Sequence, residues 1–95
     1  MAKPKDLTTP ATKLALAHQH LKDGEHVGDR HKSAYAQSAL EYLLRLPQAD
    51  QSQRDIAIAI RLLNAVCDCA ESLEWEKVRS RWNAAVLHFE HHLGA

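Results

Sequence analysis

The sequence predicts an all-α fold, a compact four-helix bundle made of two antiparallel helical hairpins. Three observations carry that expectation. Fifteen alanines and thirteen leucines stand against four valines and three isoleucines, a bias toward side chains that lose little freedom in a helix. Apolar residues recur at three- and four-residue spacing in four separate stretches. The breaks between them are short, which makes consecutive helices antiparallel neighbours. A chain of 95 residues and 10.7 kDa holds one such domain and not two.

Residues 1–9 read as a short mobile tail, and residues 10–95 as the bundle. Thr9 and Pro10 open the first helix, a hydroxyl cap followed by a proline whose missing N–H would be unpaired there anyway. Leu14, Ala17, His18 and Leu21 share one face, and Gly24 stops the helix. A loop over residues 24–28 leads to Asp29 as cap of the second helix. There Tyr35, Ala39, Tyr42, Leu43 and Leu46 line one face until Pro47. Asp50 and Gln53, in capping-box spacing, open a third helix. In it Ile56, Ala59, Ile60, Leu63, Val66, Cys67 and Ala70 recur at close to helical spacing, so the strand-like alternation of Ile56, Ile58 and Ile60 is read as helix. After a break near Ser72–Leu73, the last helix carries Trp75, Val78, Trp82, Ala85, Val86, Phe89 and Leu93 on one side and stops at Gly94. The two tryptophans and Phe89 anchor the core. The hairpins are not a tetratricopeptide pair: that motif's small Gly and its Tyr are missing, and the first loop is too long.

Charge excludes more than it suggests. Twelve Lys and Arg balance twelve Asp and Glu, so no strong field draws phosphate backbones or anionic lipid. A nucleic-acid-associated regulator would need Lys3, Lys5, Lys13, Lys22, Arg30 and Lys32 gathered on one surface. No apolar run approaches the ~20 residues of a membrane span. The charged start lacks the apolar stretch of a secretory signal, so a cytoplasmic location is expected. Cys67 and Cys69 point about 200° apart on a helix and cannot pair, which suits a reducing compartment.

No motif supports catalysis. There is no Gly-x-Ser-x-Gly turn and no Gly-Lys-Ser/Thr phosphate loop, and Glu74 and Glu76 diverge on their helix, so no enzyme is expected. Nor is a bound cofactor or metal. Cys67-Asp68-Cys69 lacks a second pair for zinc, no Glu has His three residues on, and Glu25, His26, Asp29 and His31 read as solvated loop chemistry. His88 and His92 have the spacing at which two imidazoles can share an ion, yet with His91 they also suit the negative end of a helix dipole. His18 lies on an apolar face, where a hydrogen-bonded core histidine is the ordinary reading. A metal- or haem-binding bundle using His18 with His88 or His92 is the alternative.

The third helix supplies the functional expectation. Its apolar sector around Ile56, Ile60, Leu63 and Cys67 faces the core, and a second one, Ile58, Leu62, Ala65 and Cys69, lies about 180–240° from Ile56. Only a narrow stripe of Arg54, Arg61, Asn64, Asp68 and Glu71 is polar. The second helix is also wide, through Ala36, Leu40 and Leu44. Either the third helix lies at the centre of the bundle, or part of that sector is an exposed patch that a partner covers. The second reading predicts a non-enzymatic protein-binding module: a small accessory or regulatory protein, self-associating as a homodimer or occluding a larger partner. Its expected interface is Leu40, Leu44, Arg54, Ile58, Arg61, Leu62, Ala65, Asp68 and Cys69.

Overall fold

The Thr9 hydroxyl accepts a hydrogen bond from the Thr12 N–H at 3.2 Å, so α1 (Pro10–Asp23) begins with the cap and proline that its sequence predicts. The computed structural model describes residues 9–93; the expected tail over residues 1–8 and the stop at Gly94 lie outside them. Thr9, assigned to the tail by the sequence boundary, is part of the helix start. Gly24 ends α1, its N–H donating to the His20 carbonyl. The reason for glycine is contact. A Cβ at this position would lie 2.7 Å from the Trp82 ring and 2.8 Å from that of Tyr35.

Next comes α2 (Asp29–Leu44), with Gly28 rather than Asp29 at the cap position. Asp29 lies in the first turn, where its charge favours the helix dipole and its carboxylate accepts from Arg79 at 2.8 and 3.3 Å. The predicted third helix is two elements. One turn, α3 (Gln48–Gln51), contains Asp50, and then α4 (Arg54–Glu71) starts behind Gln53. Neither Asp50 nor Gln53 makes a side-chain cap, so no capping box forms. The extra turn instead places the Gln51 amide where it donates to the carbonyls of Leu44 and Leu46 at 3.1 and 2.8 Å. The Leu44 carbonyl is one that α2 cannot satisfy itself, and Leu46 belongs to the link that follows.

A break at Ser72–Glu74 leads to α5 (Trp75–His88), which runs into a π-helical segment, Phe89–Leu93. The described residues are thus all-α, with four long helices in two hairpins, α1–α2 and α4–α5, joined through α3. No helix among them is long and apolar enough to cross a membrane.

The hairpins meet on α2. It packs against α1, α4 and α5, whereas α4 packs chiefly on α2 and α5. The central helix is therefore α2, which explains its wide apolar arc: Ala36, Ala39, Leu40 and Leu43 are all buried. Trp82, Val78 and Ala85 of α5 and Phe89 of the π-helical segment reach into the same core. Lys32 of α2 is buried beside Trp82, its ammonium 5.3 Å from the ring centroid. Three carbonyls of the α1–α2 loop, those of Gly24, Glu25 and Val27, accept from it at 3.2, 3.1 and 2.8 Å. Lys32 is therefore an internal clamp and cannot join a basic surface. Of the remaining described cations in that expected surface, Lys13 donates to the Arg45 carbonyl and Arg30 lies over Trp75.

Candidate protein-binding face

On α4 the residues sort into three grades of exposure that follow its angular order. Ile56, Ala59, Leu63 and Val66 are buried. Arg54, Arg61, Asn64, Asp68 and Glu71, the predicted polar stripe, are exposed. Ile58, Leu62, Ala65 and Cys69 are half-buried, as are Ile60, Cys67 and Ala70 on the opposite flank.

The two half-buried flanks have different neighbours. Cys67, Ala70 and Glu71 border a groove with Ser33, Ala34 and Gln37 of α2. Asp55 and Ile58 border another with His88 and His92 beyond the far edge of α4, where the Asp55 carbonyl meets His88 Nε2 at 2.7 Å. Two flanking helices thus explain a broad apolar circumference that does not require a central position. Leu62 and Cys69 pack partly on the core, and the rest of their surface remains open alongside Arg61 and Asp68.

Two of the nine expected interface residues fall elsewhere. Leu40 is 7% exposed and belongs to the core, because α2 is enclosed on three sides. It leaves the candidate face. Leu44 is 50% exposed but stands seven residues after Gln37, hence on the same side of α2 and toward the Cys67 flank of α4. The face that remains is Arg54, Ile58, Arg61, Leu62, Ala65, Asp68 and Cys69, all on one helix.

Side chains with chemical potential are mostly committed to structure. Burial, with Asp68 and Glu71 nearby, pushes the Cys67 thiol up and keeps it protonated, the opposite of an activated nucleophile. Hydrogen bonds from Arg79 hold the Asp29 carboxyl below its usual range. His18 stacks on Phe89 with ring centroids 5.7 Å apart, and its Nε2 is buried without a hydrogen-bond partner among the described residues, not the satisfied core histidine expected. Burial and then Lys22 lower its pKa, partly opposed by Glu90. The ring of His88 instead faces α4, and among the described residues no three His, Cys, Asp or Glu side chains are grouped to hold a metal.

Sequence periodicity misses the surroundings of Trp75. This half-buried ring borders the Ser33–Gln37 groove and also a second hollow with Gly28, Asp29 and Arg30. Next to it Leu73 is 69% exposed. A helix-start tryptophan counts as core in a periodic pattern, and no pattern reveals that its outer edge is uncovered. No protein-family model matches the chain, and comparison with curated proteins and with solved structures finds no similar protein.

Proposed function

We propose that this protein acts, without catalysis, by binding protein through the outer face of α4, the first partner being a second copy of the same chain, and that it works in the cytoplasm as an accessory or regulatory subunit. The observation that carries the reading is the row Ile58, Leu62, Ala65 and Cys69, which its own fold leaves only partly buried beside exposed Arg54, Arg61 and Asp68. An apolar strip with a charged rim is the composition of a protein contact.

The row is self-complementary. Two copies of α4 laid antiparallel about a two-fold axis near Ala65 bring Arg61 of each opposite Asp68 of the other, while the small Ala65 lets the helices approach. Light scattering at roughly 10–100 µM, where interfaces of micromolar affinity associate, should give twice the chain mass. Leu62→Glu should return the monomer mass with helix content unchanged. Arg61→Asp should do the same, and adding Asp68→Arg should restore the dimer. A wild-type chain that stays monomeric throughout removes the homodimer. Loss of folding in Leu62→Glu would instead make that side chain core.

A further inference from the structure

We infer that His88 and His92 form a two-histidine site for a divalent late transition-metal ion at the end of α5. This does not rest on the protein-binding proposal, although Arg54 and Ile58 border the same groove. The two imidazole centroids lie 4.9 Å apart with the rings tilted by 36°. Two imidazoles sharing one tetrahedral ion at ~2.0–2.1 Å have their ring centres about 5 Å apart, so the spacing already suits a shared ligand.

The second observation concerns the proton. His88 Nε2 lies 2.7 Å from the Asp55 carbonyl oxygen. A carbonyl only accepts, so Nε2 carries the hydrogen and Nδ1 of the neutral ring keeps its lone pair. Metal-binding imidazoles are commonly held in this way, one nitrogen donating to a backbone carbonyl and the other free for the ion. The bond also anchors the ring to α4, so a metal joining His88 to His92 would fasten the π-helical segment to the hairpin. Water completes the coordination, since no third protein ligand is grouped with the pair among the described residues. Arg54 borders the same groove and its positive charge opposes a cation, so the ion is held loosely and exchanges.

Zinc(II) titrated into the untagged full-length chain, followed by calorimetry and by nitrogen-edited NMR of the histidines, tests this. One equivalent should bind, with the His88 Nδ1 resonance moving while Nε2 keeps its proton. His92→Ala should weaken binding by at least about tenfold, the scale on which lost metal-site partners are felt, and His91→Ala should leave it unchanged. Wild-type binding by His92→Ala overturns the site. So does zinc that perturbs His20, His26 or His31 in place of His88, or binding that disappears when Cys67 and Cys69 are blocked.

Discussion

At the residue scale, the side chain under most constraint is Lys32. Its ammonium is withdrawn from water and held by three loop carbonyls and the face of Trp82. Lys32→Met keeps much of the stem's packing but strands those carbonyls, and should cost about 3 kcal/mol in urea unfolding. His18 gives a pH dependence of definite sign. Its folded pKa is lowered from 6.5, so near that pH the unfolded chain takes up a proton that the folded chain resists. The neutral ring's contribution is complete above about pH 6.5 and is lost as the pH falls below it, until the folded group also protonates. Unfolding midpoints measured at about pH 7.5 and about pH 5.5 should therefore differ less in His18→Leu than in the wild type. Equal differences would show that His18 does not sense the change. Neither role is legible in a periodic pattern. A lysine next to a loop reads as solvated, and only the closed loop reveals the carbonyls that converge on it.

At the element scale, the helix ends divide into two kinds. The start of α1 is legible because Thr9 and Pro10 act within a single turn. The end of α4 is not. Leu73 has a φ of 59°, with its N–H donating to Ala70 and the Glu74 N–H donating to Cys69. That bond pair is the Schellman turn, and its left-handed position ordinarily holds glycine. A leucine there costs ~1–2 kcal/mol of backbone energy. Leu73→Gly should therefore stabilise the fold by about 0.5–1 kcal/mol after the glycine's greater unfolded-state freedom is counted. A lower melting temperature would mean that the exposed leucine makes a stabilising contact. Gly24→Ala should act in the opposite direction. Its methyl group meets two aromatic rings below 3 Å, and unfolding should show a loss of about 1–3 kcal/mol.

At the scale of the whole molecule, α5 joins the hairpins. Arg79 holds Asp29, Trp82 lies under Lys32, and Phe89 of the π-helical continuation stacks on His18, so α5 and the segment that extends it contact the other hairpin at three levels. Trp82→Ala should cost ~3–5 kcal/mol, and a single calorimetric transition should persist, because the buried side chains of both hairpins form one cluster. Two separated transitions would show instead that the hairpins are independent units. The extents of 48 × 26 × 22 Å fit this arrangement, in which two hairpins share one central helix and, among the described residues, the outer side of α4 is only partly covered.

The sequence by itself determined the all-α class, the four long helices, the polar stripe of α4 and the cap of α1. These follow from spacing and from bonds that close within one turn of chain. The tertiary structure alone decided that α2 is central, that Leu40 is core and Leu44 faces a different flank from Ile58, and that Lys32 points inward. A helical pattern reports how much of a circumference is apolar but not which neighbour covers each side. That assignment depends on contacts between residues far apart in the chain, and it exists only once both hairpins have closed on the same helix.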